Sequence, residues 1–384
     1  MSWHRYGSAI CAAIALLLGV TVTAAAPETA ESLETASNYE AAAAAYEQRA
    51  NVGPNTPEAP PALYRATVLR LGTGQLDLAK KNAATYESRY GNTQPTHSAE
   101  LFFGLALVLA EGGHWRDARV QLDQSRARWE KAPLDTKLGA LTLHARALQR
   151  DGGAAEQTRA QAEFQTVRSA WSNPAAAEAE LRRARPDEEE GLATRRLGRV
   201  LTAVGEAMFE DAEAKRRQAL SPLPAPKYAG PADEDKFLEF QRTTVRVWQE
   251  KKRAALQQAE TNYVAVLDLK PFPPPKWVVA SASQVARMWA DLADEVETAS
   301  MPPATPAMAA LRRKLEPVAR AVGDDARDRY TRPRMRKCVE LSAKLQYTSS
   351  YAESCRAWLD AHDPEHTTPP DELAPKVAVP KPGP

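Results

Sequence analysis

Apolar and small residues recur through the first half of the chain at intervals that a helix explains. Four segments superimpose: Ser37-Asn38-Tyr39-Glu40-Ala41-Ala42, Gly74-Gln75-Leu76-Asp77-Leu78-Ala79, Gly113-His114-Trp115-Arg116-Asp117-Ala118 and, more weakly, Gly153-Ala154-Ala155-Glu156-Gln157-Thr158. The residue after each turn is Tyr39, Leu76, Trp115 or Ala155. Ala42, Ala79 and Ala118 follow three positions later, and Tyr46, Ala83, Leu122 and Ala162 follow seven later. At 3.6 residues per turn these positions share one face. A second amphipathic helix is predicted before the later turns, over 62–71, 100–110 and 137–149. Gly or Asn at the junction supplies the geometry that ends one helix before the next starts. The predicted unit is a helical hairpin recurring about every 38 residues.

The second half is patterned differently. Residues 173–220 read as a charged helical region, with Arg182-Arg183-Ala184-Arg185-Pro186-Asp187-Glu188-Glu189-Glu190 at its middle. A basic cluster followed by an acidic one marks a solvated helix end and the next helix start, where carboxylates favour the positive end of the dipole. A Pro-rich linker occupies 221–232. One long helix is then predicted over 233–269, with Leu238, Val245, Trp248, Ala255, Ala259, Val266 and Leu269 forming a narrow packing seam. It stops at the prolines of 271–275, because proline lacks an N–H and costs roughly 3 kcal/mol inside a helix. Trp277 restarts the chain, and Val278, Ala282, Val285, Trp289, Leu292 and Val296 repeat the heptad-like spacing. Trp277 and Trp289 read as core wedges rather than ligand stackers. Further helices are expected over 307–322, 324–346 and 351–361, and a polar, Pro-rich tail over 363–384.

The hairpin pattern resembles the tetratricopeptide repeat family. The best segment is 101–118, where Phe102, Leu105, Ala106 and Leu109 fall on the family's first-helix places, and Gly113, Trp115 and Ala118 on its turn and second helix. The Leu63 repeat follows with Ala66, Gly74 and Ala79. The unit near Leu141, His144, Ala145 and Leu148 needs a one-residue shift at its turn. The resemblance covers roughly residues 30–172 and implies an all-α fold: an α-solenoid of hairpins over 26–172, followed by long packed helices over 233–362. A second resemblance rests on 237–289 with its proline break and Lys276-Trp277-Val278, together with Arg336-Lys337-Cys338-Val339-Glu340-Leu341-Ser342 and Tyr351-Ala352-Glu353-Ser354-Cys355-Arg356-Ala357-Trp358-Leu359. These stretches look like the C-terminal region of large exported tetratricopeptide proteins of myxobacteria, some linked to gliding motility. That likeness implies an envelope-associated assembly protein, periplasmic or at the outer membrane, with no catalytic residue to carry over.

The N-terminus agrees with export. His4 and Arg5 precede a nearly apolar run over 10–22, and small residues follow at Ala24, Ala25 and Ala26. These are the parts of a secretory signal peptide, expected over 1–25. The run is shorter than the roughly 20 residues of a membrane span. Leader removal leaves Cys338 and Cys355, which in an oxidising compartment read as a disulfide of roughly 3 kcal/mol. Two small buried thiols are the alternative.

Composition narrows the chemistry. Lys+Arg 50 against Asp+Glu 49 leaves no net field to gather nucleic acid or an anionic membrane. No Gly-rich loop follows a strand, and no serine sits in a nucleophile-elbow pattern. His362 and His366 have metal-ligand spacing, but Pro364 between them breaks the helix that spacing requires. His144 occupies a position where small or apolar residues pack, so it reads as a satisfied interior histidine. His97 and His114 fall at turns. No catalytic residue, metal or cofactor is expected.

The functional expectation is a non-enzymatic scaffold for protein partners. Stacked hairpins create a concave groove lined by their first helices. The repeat alignment places Tyr64, Val68, Phe103, Leu107 and Arg146 on that groove, unless they contact the next hairpin instead. An envelope hydrolase or polysaccharide-modifying enzyme, and a purely architectural helical spacer, are the alternatives.

Overall fold

The structure, a computed structural model, describes residues 29–363; the expected signal peptide and all of the expected tail beyond Asp363 lie outside them. The fold is all-α, with no strand among the described residues. The chain divides into two compact units, one ending at Gln94 and one starting at Pro95.

The first unit holds α1 (Ala30–Thr35), α2 (Tyr39–Val52), α3 (Ala59–Gly72) and α4 (Leu76–Tyr90), each packed on the next. Ala42, Ala66 and Ala79 are completely buried where these helices meet, since small side chains let backbones approach closely. Arg70 of α3 ties the hairpins together. Its Nε and Nη2 each donate at 2.9 Å to Glu47 of α2, which also accepts from Asn82 of α4 at 2.7 Å. Burial pushes the Glu47 carboxyl up, but the hydrogen bonds from Arg70 and Asn82 outweigh it and hold the group below its usual range.

The second unit begins with α5 (Pro95–Glu111), α6 (Trp115–Gln124), α7 (Arg126–Trp129), α8 (Leu134–Asp151) and α9 (Ala154–Ala170). One turn recurs in both units. Ser37, Gly74 and Gly113 have left-handed φ angles of 61°, 73° and 81°. In each turn the next residue's N–H closes back on the carbonyl five positions earlier: Asn38 to Leu33 at 2.9 Å, Gln75 to Arg70 at 2.8 Å and His114 to Leu109 at 2.9 Å. This is the hydrogen bond that satisfies the free carbonyls at a helix end. The α8–α9 turn departs from it. Gly152 and Gly153 have negative φ, and the Glu156 carboxylate accepts the Gly153 N–H at 3.0 Å. The α9 face is rotated accordingly. Ala160, Phe164 and Val167 are buried, whereas Ala155 and Ala162, expected on the packing face, are exposed.

The rest of the second unit gathers around two helices, α11 and α14. After α10 (Pro174–Ala184), the 31-residue α11 (Glu190–Leu220) packs on α8 and α9. It also packs on α13 (Arg246–Val264) and α14 (Pro275–Ala299), and α14 touches α15 (Ala309–Ala326), α16 (Arg332–Lys344) and α17 (Ser350–His362) as well. Trp277 and Trp289 of α14 are 5% and 1% exposed, so both are core wedges as the pattern predicts. The proline break is held at each end. Trp171 donates its Nε1 to the Lys270 carbonyl at 3.1 Å, and Pro274 and Trp277 press into a notch at Gly205 of α11. The helix before the prolines has already ended at Val264, and this notch seats the one that follows them. The linker of 221–232 is also laid down rather than free: Trp248 donates to the Leu223 carbonyl at 3.2 Å, and Tyr228 packs edge-on against Phe237 at 5.1 Å.

Three expectations about this half change. The helix of 233–269 runs as α12 (Glu234–Phe240), a wide π-turn over Gln241–Val245 and then α13, ending at Val264. Phe237, Leu256 and Tyr263 are buried, while Leu238 and Ala255, expected in the seam, are only half-buried. From Phe237 to Val245 is eight residues, about 80° beyond two regular turns. The extra residue absorbed by the π-turn brings both onto one face. Gln241 at its start donates to the Ala299 carbonyl at the end of α14, 2.8 Å away. Next, α15 runs through Gly323 instead of breaking there, because that glycine is where α15 crosses close to Glu297 of α14. Finally, Asp363, assigned to the tail by composition, is 3% exposed and pairs with Arg336 at 2.7 Å.

Candidate functional site

The residues expected to line a groove fall in both units. In the first, Tyr64 and Val68 lie one turn apart on α3 and are both half-buried. The Tyr64 ring meets Tyr86 of α4 edge-on at 6.3 Å, and Tyr86 meets Tyr90 at 5.4 Å. In the second, Leu107 on α5 is 37% exposed, an apolar side chain facing solvent on a first helix. Phe103, one turn earlier, is half-buried, its ring so close to Gly139 of α8 that a Cβ there would stand 2.8 Å from it. Contact with the next hairpin, the alternative for this position, therefore describes Phe103.

Arg146 is committed elsewhere. Its Nε donates to Glu206 of α11 at 2.6 Å, and one helical turn away Gln149 donates to Glu210 at 3.1 Å. Two polar residues of α8 thus zip onto two carboxylates spaced i, i+4 on α11. Burial pushes the Glu210 carboxyl above its usual range, and neighbouring Glu206 and Glu213 add to the rise. The α11 partners escaped sequence reasoning, although Glu206, Glu210 and Glu213 on one helical face were a visible signal.

The remaining chemistry-bearing side chains are used in packing. His144 is fully buried, with Nδ1 2.7 Å from Glu163 of α9, matching its reading as an interior histidine. Arg126 donates to the same carboxylate at 2.8 Å. Burial raises the Glu163 carboxyl, and the His144 and Arg126 contacts overcome that and hold it below its usual range. Arg196 of α11 is 2% exposed and clamps three elements. It donates to Glu188 at 2.6 Å and to the Leu181 carbonyl at 2.9 Å, and lies 3.9 Å from Asp135 of α8. The acidic run after the basic cluster is therefore not wholly solvated: Arg182 and Glu190 stay at the surface, while Glu188 is drawn inward.

Cys338 and Cys355 are bonded as a disulfide between α16 and α17, both in a buried cluster with Met335, Leu359 and Ala286. Among the described residues no group of His, Cys, Asp and Glu is placed to hold a metal, and no helix is long and apolar enough to cross a membrane. No protein-family model matches the chain, and neither a curated protein nor a solved structure is detectably similar to it.

Proposed function

We propose that the chain is a non-enzymatic scaffold of tetratricopeptide-like hairpins that is exported and holds protein partners in the cell envelope. The observation that supports this reading is the turn repeated at Ser37, Gly74 and Gly113, with fully buried alanines at the neighbouring helix contacts. Repeated hairpins present first-helix faces for extended partners. Val68 and Leu107 are the positions available on those faces, and Leu107 is the more open. Export rests on the basic, apolar and small-residue pattern of residues 1–25.

Photo-crosslinking groups placed at Val68 and Leu107 test the proposal in the native cell, with Glu353, exposed on α17, as the control position. Discrete crosslinked species are expected at Val68 and Leu107 and not at Glu353, from protein recovered in the envelope fraction. Equal crosslinking at all three positions, or retention in the cytoplasm with the leader intact, would sink it.

A further inference from the structure

A pocket of about 100 Å³ opens between α13, α14 and α16, lined by Tyr263, Val264, Ser281, Val285, Arg334 and Leu341. Its walls are mostly apolar, and its charged neighbours are already matched. Arg334 grips Glu260 with Nε at 3.0 Å and Nη2 at 2.8 Å, while Trp289 donates to the same carboxylate at 2.9 Å. The Arg334 guanidinium lies over the Trp289 ring at 4.4 Å, and Lys337 at the edge is 2.8 Å from Glu340. No unbalanced charge is left to repay the desolvation of an ionic ligand. One polar atom stands out: Ser281 lines the pocket, is 1% exposed, and its Oγ has no hydrogen-bond partner. A buried hydroxyl without a partner is destabilising, and a ligand atom that reached it would recover that loss.

We propose that this pocket binds a neutral phenolic ring. Its volume is on the scale of the cavities of about 150 Å³ that accept a single benzene ring. The planar Arg334 guanidinium in the pocket wall suits a flat ligand, and Ser281 specifies one hydroxyl on it. The ring can come from a free small phenol or from the tyrosine of a partner polypeptide. The site is independent of the groove on the first helices, so either assignment can fail without the other.

The test titrates the full chain with p-cresol and with toluene, followed by ligand-observed NMR. Saturable p-cresol binding is expected, with toluene weaker by roughly tenfold, the worth of one recovered hydrogen bond. Ser281→Ala should erase that preference, and Ala282→Leu, which fills the pocket, should abolish binding. Circular dichroism checks that each variant is folded; should Ala282→Leu unfold, the loss of preference in Ser281→Ala decides alone. Competition by N-acetyl-tyrosinamide assigns the site to a tyrosine side chain, and its failure to compete assigns the site to a free phenol. No saturable p-cresol binding, or equal binding of p-cresol and toluene to the native chain, overturns the proposal.

Discussion

The hairpins and the bundle around α14 solve the same problem, bringing helices close, by opposite means. In the hairpins the close contacts are made by alanines: Ala42, Ala66, Ala79, Ala106 and Ala118 are all fully buried. Three of the four hairpins reverse through one local turn, closed by a hydrogen bond six residues long. Around α14 the contacts are made by large side chains in sockets: Trp277 against Gly205 and Phe209, and Trp289 stacked on Tyr330 at 5.0 Å. Their ties reach far along the chain, as from Trp171 to Lys270 and from Arg334 to Glu260. A repeat can be built from local rules because each copy needs the same small contact. A bundle with one central helix needs a different partner at every position.

The comparison predicts where single substitutions hurt. The largest effect should be Trp277→Ala, which empties a buried site and costs about 3–5 kcal/mol, read by urea denaturation. A cost below about 1 kcal/mol would mean that the wedge is not central. Next comes a contrast within α11. Gly205→Ala would set a Cβ 2.4 Å from Pro274 Cγ and should cost about 1–3 kcal/mol, whereas Gly198 has open space around it. Gly198→Ala should stabilise by roughly 0.5–1 kcal/mol, so melting temperatures should move in opposite directions.

The hairpin turns should respond more mildly. Gly113→Ala forces a side chain into the left-handed region without a steric clash, at about 1–2 kcal/mol. Ser37→Gly, at the equivalent position, should gain a comparable or smaller amount. If calorimetry gives both substitutions the same sign, the turns are not equivalent. The smallest effect should be electrostatic. Glu163 is held below the ordinary carboxylate value of 4.5, so its contribution is complete above that value and is lost as pH falls through the lower folded-state value. Glu163→Gln should therefore flatten the acid limb of the stability profile below about pH 4.5. An unchanged acid limb would show that the His144–Glu163–Arg126 cluster does not couple folding to protonation.

How much of this was legible beforehand depended on the range of the interactions. The all-α class, the turns at Ser37, Gly74 and Gly113, the alanines beside them and the burial of Trp277 and Trp289 all follow from spacing or residue type along short stretches. The pairing of Cys338 with Cys355 follows instead from their being the two cysteines left beyond the expected leader. Of the proposed groove residues, Leu107 is open to solvent, while Phe103 and Arg146 are engaged by α8 and α11. No pattern within their own helices could reveal those partners.

What the chain determined by itself was periodic: where helices form, which face is apolar, and where glycine or proline must interrupt them. Those features arise from backbone sterics and from hydrogen bonds between near neighbours, which act the same way wherever the segment ends up. Tertiary structure decided the π-turn at Gln241–Val245, the socket at Gly205, the rotated face of α9 and the pocket beside Ser281. Each depends on which distant side chain arrives opposite, and that is set only when the helices pack together.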